Sequence, residues 1–307
     1  RQMCIRDRAK KGMKPAIATA LPRVNLIGNP SDIYGGCGLG FPIWNWQAKV
    51  FLDTSISTTE EIPLLQATRE VFSQHHTVKQ KFGLRFISDI PLQAGLGGSS
   101  ALVMAALRAM GEAHGFQWTW KSLADATLTV EQDHLGIIAG PMDRWIQAQE
   151  EFLWMDFSEN KTEVLPINTI PSLRVLISSK PGRPSGSVHA PIMERWSRGD
   201  SQIKRVMDAY KPLVEQGRVA LLGRDFSTLA ECMDRNFELR ASLFSIDEED
   251  QAMINLCRRH GSAAKLCGSG GAVLALMKCK EEWSALEVEA KGAGINVVEP
   301  QLFKEAS

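Results

Sequence analysis

Apolar residues follow two rhythms along this chain. Short apolar runs at 16–28, 41–56, 82–91, 151–157 and 173–179 predict strands; the first ends at a Gly-Asn-Pro turn, the second is long enough for one or two strands, and the third stops at Pro91. Helical spacing takes over elsewhere. In 61–76, Leu64, Leu65, Thr68, Val71 and Phe72 share one face; 99–114 is an apolar run closed by Gly115; 119–137 has Thr119 or Ser122 to cap it; and 141–149 opens with Pro141 at a first-turn position. Further helical patterns occupy 201–216, 218–232 and 247–260, while 263–277 is apolar, breaks at a glycine cluster and resumes as a strand. Strands and helices mix without a regular strand–helix–strand alternation, so the predicted class is α+β and not a doubly wound sheet. The turn-rich segment 158–172 predicts a boundary between two domains, 14–172 and 173–307. Residues 1–12, RQMCIRDRAKKG, have neither period and resemble a translated sequencing adaptor. They are expected to be a non-native or disordered leader, with Met13 as the start.

Composition narrows the classes of function. With 35 basic and 35 acidic residues the chain has no net field, which argues against nucleic acid or an anionic membrane as partner. No apolar run approaches the roughly 18 residues of a spanning helix. The six cysteines, Cys4, Cys37, Cys232, Cys257, Cys267 and Cys279, form no CxxC pair and read as reduced thiols of a cytoplasmic protein. The six histidines form no HExxH, so a zinc site is not expected. Trp44, Trp46, Trp118 and Trp120 read as packing residues and not as a base-stacking platform. Oligomeric state is left open between monomer and homodimer.

The candidate chemistry lies in two glycine loops. PLQAGLGGSS (91–100) places Gly95, Gly97 and Gly98 directly before an apolar helix. Glycine lets a ligand approach the backbone, and a helix N-terminus adds free N–H groups and a positive dipole end, so the pattern suits a phosphate. The loop is neither a Walker loop nor a dinucleotide fingerprint. A plain glycine turn before a helix would read the same way. GSGGA (268–272) lies between apolar runs and alone reads equally as a hairpin turn or bulge.

Three segments in this order, LPRVNLIGNPSD (21–32), PLQAGLGGSSALV (91–103) and KLCGSGGAVLAL (265–276), resemble the three motifs of the GHMP kinase superfamily. The likeness runs from about residue 18 to about 280. One departure is Gly98, which stands where the commonest form has its first serine. GNPSD, LGIIAGPMDRWIQ, WMDF, the 186–196 stretch and MDRNFELR (233–240) further resemble the plant-type glucuronokinases within that superfamily.

The resemblance implies a two-domain fold: an N-terminal domain like ribosomal protein S5 domain 2, a ferredoxin-like C-terminal domain, and an active site between them. It implies a kinase using ATP and Mg²⁺ to phosphorylate a small-molecule sugar, D-glucuronate first, at the anomeric hydroxyl. Galactose, arabinose, heptose or mevalonate-type acceptors, and a non-catalytic sugar sensor, are the alternatives. Gly95, Leu96, Gly97, Gly98, Ser99, Ser100 and Ala101 would line the triphosphate. Ser99, with Ser100 second, and Glu131 would meet the metal. Asp143 in GPMDR, twelve residues after Glu131, would accept or polarise the acceptor proton, with Arg23 stabilising its charge. Asn29, Ser31 and Asp32, with Gly268, Ser269, Gly270 and Gly271, would contact substrate. A uronate carboxylate needs a cation, and Arg144, Arg183, His189, Arg195, Arg235 and Arg240 are the candidates.

Overall fold

The computed structural model describes residues 14–56, 61–78, 81–183, 185–277 and 281–304; residues 1–12, expected to be a leader, and Met13 and Cys279 lie outside them. The first apolar run is two strands, β1 (Ala16–Ala20) and β2 (Arg23–Ile27), and they join different sheets. Pro22 sits at the break, where its missing N–H cannot serve a ladder. β3 (Cys37–Pro42) pairs antiparallel with β2, and β4 (Ala48–Asp53) with β1. After α1 (Pro63–His75), β5 (Gly83–Ser88) completes an antiparallel sheet β1-β4-β5.

The helix behind the first glycine loop, α2 (Gly98–His114), is the centre of this half. From Ser100 to Gly111 every residue but Arg108 is buried, and the helix crosses β1 and β4 with α1 on another side. A helix apolar almost all round is stable only when covered almost all round, and its alanines let neighbours approach closely. α3 (Trp120–Thr129) starts from a capping box made by Thr119 and Ser122, then passes into a π turn, Val130–His134. α4 (Met142–Gln149) follows, and β6 (Leu153–Asp156) and β7 (Lys161–Val164) extend the second sheet to β2-β3-β6-β7. The turn-rich segment 158–172 therefore contains one short, mostly exposed strand.

The second half opens with β8 (Leu173–Ile177) and a helical insertion: α5 (Ser185–Ser197), α6 (Ser201–Asp208), α7 (Tyr210–Leu222), α8 (Phe226–Ala241) and α9 (Glu248–Arg259). The sequence pattern missed α5, which carries Pro191 in its interior. It also placed a helix break at Gly217, whereas α7 runs through it; a Cβ there would lie 2.4 Å from Ile27 Cδ1, so the missing side chain seats α7 on β2. β9 (Ala263–Leu266), β10 (Ala272–Leu276), α10 (Glu281–Gly292) and β11 (Asn296–Val298) finish the chain. The sheet order β11-β8-β10-β9, all antiparallel, is the ferredoxin-like order. Cys37, Cys232, Cys257 and Cys267 are free and buried. Among the described residues no helix is long and apolar enough to cross a membrane.

Candidate active site

The two halves meet where β2 runs beside β9. Asn25 N donates to Cys267 O at 3.1 Å, and Lys265 Nζ donates to Asn25 O at 2.6 Å. This seam brings the three glycine-bearing loops together. Arg23 N donates to Leu96 O at 3.0 Å, and Arg23 Nη1 donates to Gly95 O at 2.6 Å. Gly268 lies so close to the other loop that a Cβ on it would stand 2.2 Å from Gly95 O. Gly97 is the left-handed N-cap of α2 and offers no side-chain cap. The first-turn N–H groups of α2 have no intrahelical acceptors, so this end is open to an anion.

Asp143 sits in the first turn of α4, facing the seam. Its Oδ2 is ion-paired to Arg23 Nη2, its Oδ1 accepts from Asn25 Nδ2 at 3.3 Å, and Arg144 Nη1 stands 3.7 Å from Oδ2. Burial pushes its pKa up, but the Arg23 and Arg144 charges and the Arg23 and Asn25 hydrogen bonds outweigh it and hold the carboxyl below its ordinary range. Sequence reasoning missed Asn25. The signal was present, because residues i and i+2 of a strand share a face, and Asn25 is two after Arg23. Asp32 is also buried here and accepts from Met142 N at 3.3 Å; burial and the Asp143 charge raise its pKa to about 6.

Glu131 lies in the π turn, 2% exposed. Its Oε1 accepts from Ser100 Oγ at 3.0 Å, and its Oε2 from Arg144 Nε at 2.7 Å and from Arg144 Nη2. The serine brought to Glu131 is thus Ser100 and not Ser99, whose side chain is exposed at the helix mouth. Consecutive helical residues point about 100° apart, so the two cannot both face Glu131. Ser31 also departs from expectation: it is fully buried and its Oγ donates to Cys37 O at 3.2 Å, holding its own turn. Two hard oxygen donors, Ser100 and Glu131, stand behind the loop. That set fits Mg²⁺, which takes few protein ligands and completes its shell with phosphate and water.

α8 supplies residues from MDRNFELR. Asn236 Oδ1 accepts from Gly28 N at 2.7 Å, and its Nδ2 donates to Asn29 O at 3.1 Å. One turn on, Arg240 Nη1 donates to Asn29 Oδ1 at 3.1 Å and Nη2 to Ser269 O at 3.0 Å. Asp250 Oδ1 accepts from Gly271 N at 2.8 Å. The four-residue spacing of Asn236 and Arg240 places them on one face, a pattern visible in the sequence, but nothing local said which loops that face would meet. Of the tryptophans read as packing residues, Trp118 packs with Phe72, His76 and Phe116, and Trp120 with Trp145.

Two family models match this chain, the GHMP kinases N terminal domain over residues 63–149 and the GHMP kinases C terminal over residues 218–291. The protein described as probable glucuronokinase 2 of Arabidopsis thaliana is 32% identical, covering 91% of this chain and 88% of its own length. Glucuronokinase 1 of the same plant is 30% identical, covering 90% and 89%. The crystal structure of Lactococcus lactis galactokinase complexed with galactose superposes with a TM-score of 0.80 at 14% identity, covering 94% of each chain, which speaks for the fold. The chain belongs to the GHMP kinase family and has its two-domain fold.

Proposed function

We propose that this protein is an ATP- and Mg²⁺-dependent sugar kinase that phosphorylates the anomeric hydroxyl of D-glucuronate. The observation that carries the reading is the junction of the Arg23–Asn25–Asp143 group with the glycine loops. It sets a charged carboxylate beside a helix N-terminus suited to phosphate. Family membership supports ATP as donor, and the similarity to two glucuronokinases over nine-tenths of the chain supports the acceptor. Two domains, 14–172 and 173–307, belong to the same reading, supported by the start of a separate sheet at Leu173. So does a cytoplasmic location, supported by the free buried thiols.

The residues divide the work in a definite way. Backbone N–H groups from Gly97 to Ser100 bind phosphate oxygens, and Ser100 and Glu131 would hold Mg²⁺. When bound, the metal neutralises charge on the transferring phosphate. Arg23 keeps Asp143 ionised and stands next to the loop that binds phosphate. Asp143 orients the acceptor hydroxyl. A carboxylate held below its ordinary range is a weak base, which suits a loose transition state in which the hydroxyl proton leaves late. Asp32 and Asn29 bound the acceptor side, and Asp32 also fixes the first turn of α4.

The test is ADP release with matched concentrations of glucuronate, galacturonate, galactose, glucose, arabinose, a heptose and mevalonate. Glucuronate is expected to have the highest kcat/KM. A neutral sugar or mevalonate in first place would overturn the acceptor while leaving a kinase; ATP binding without turnover of any acceptor would favour a sensor.

A further inference from the structure

The six basic residues named from the sequence as candidates for the acceptor carboxylate are separated by their partners. Arg144 is committed to Glu131, and Arg183 pairs with Asp247 at 2.6 Å. Arg195 pairs with Asp200 at 2.8 Å, and Arg235 is exposed beside Glu238 at 3.0 Å. His189 is buried against Phe244, and burial, then the Arg240 charge, lower its pKa to about 3, so it is neutral. Arg240 differs from all of these. It is 2% exposed, and among the described residues no carboxylate stands within ion-pair distance of it. Its two hydrogen bonds go to neutral oxygens, on Asn29 and Ser269, and its Nε has no partner. A buried guanidinium with five donors, an unpartnered Nε and only the more distant carboxylates of Asp250 and Asp32 to balance it is an expensive arrangement unless an anion arrives.

Resting on the uronate-kinase reading above, we propose that Arg240 binds the carboxylate of the acceptor and is the residue that separates uronates from neutral hexoses. Arg240 joins the first loop to the third, the two loops flanking the Arg23–Asp143 pair. Two more buried polar atoms without partners are in electrostatic reach: Tyr34 Oη, near Arg240 and Asp32, and His189 Nδ1, near Arg240 and Asp143. A pyranose uronate carries its anomeric hydroxyl and its carboxylate on the two carbons that flank the ring oxygen. With the hydroxyl at Asp143, the carboxylate lies on the same edge of the ring, toward Arg240. The Phe244 ring, 4.9 Å from the guanidinium carbon, holds the fork in place. A neutral hexose leaves the guanidinium unpaired, which is how a polar site rejects a ligand lacking the matching group.

The experiment measures kcat/KM for glucuronate and for its neutral amide, glucuronamide, in the wild type, Arg240→Met and Arg240→Lys. The wild type should prefer glucuronate. In Arg240→Met the ratio of the two kcat/KM values should fall about 30- to 100-fold, mostly through KM for glucuronate. In Arg240→Lys it should fall about fivefold to tenfold, because charge remains but the fork is lost. If both substrates lose the same factor, or the ratio does not move, Arg240 is only a tie between Asn29 and Ser269 and the proposal is wrong. Should Arg240→Met not fold, the ratio in Arg240→Lys decides: a wild-type value there overturns the proposal. If the wild type ignores glucuronate but phosphorylates a neutral sugar, the acceptor reading has failed and takes this role of Arg240 with it. A wild type that prefers glucuronate with an unmoved variant ratio sinks the Arg240 assignment alone.

Discussion

Asp143 stands between Arg23, Asn25 and Arg144, and the sum of those contacts sets its charge state. Two guanidinium groups hold its carboxyl below the ordinary range, so in the proposed reaction its contribution is position and charge. Asp143→Asn keeps the shape but removes the charge. Turnover is expected to fall at least about 100-fold while nucleotide affinity stays within about threefold, read by ADP release and nucleotide titration side by side. Turnover near wild type would remove Asp143 from the reaction. The neighbouring serines show how much one position matters: Ser100 is buried on Glu131, while Ser99 faces out.

Between elements, one tight constraint is loop against loop. The α2 N-terminus is open because Gly97 caps it with backbone alone, and the third loop lies directly on Gly95. Gly268→Ala would set a methyl 2.2 Å from a backbone oxygen that has no rotamer to escape with. The loops must then part, a strain of about 1–3 kcal/mol. The expected result is a protein that still folds, melts several degrees lower, and binds nucleotide at least about tenfold more weakly, measured by thermal melts and nucleotide titration. Unchanged affinity would mean that the third loop does not shape the phosphate site. The π turn is the other constraint between elements, because it carries Glu131 from α3 toward both α2 and α4.

Across the molecule, the two halves are joined along β2 and β9, and Lys265 is buried in that seam with its ammonium on Asn25 O and Leu266 O. Burial lowers its pKa to about 7 from an ordinary value of 10.5. Between these two values the unfolded chain binds more protons than the folded one, so this group favours folding increasingly as pH rises through that window. Cys37, Cys257 and Cys267, pushed up to about 12 by burial, act in the opposite sense above pH 8.5, so only a comparison isolates the lysine. Melting wild type and Lys265→Met at pH 7 and pH 9.5 should show the wild type gaining on the variant by on the order of 2–3 kcal/mol at the higher pH. A constant difference would mean that Lys265 does not titrate in this range.

Part of the site was legible along the chain because its signals are local. Glycines before a helix need only neighbouring residues to be recognised, whereas Asp143 after Gly-Pro and Glu131 twelve residues earlier stood out only through the resemblance to the GHMP kinase motifs. The strand rhythm, also local, located β5, β6 and β8. What no local pattern carried was partnership. The break at Pro22 sends β1 and β2 to separate sheets, Gly217 stays inside a helix because Ile27 lies over it, and Ser31 turns inward to Cys37. The choice of Arg240 from six cations is of this kind. Each is a basic side chain in the sequence, and what distinguishes them is whether a carboxylate reaches it, from three or five residues away for Arg235 and Arg195 and from 64 for Arg183. Asp247, Asp200, Glu131 and Glu238 reach four of the others, and burial neutralises His189. Residue types and short spacings are encoded in the chain itself, whereas charge balance at a buried point depends on every segment that folds around it.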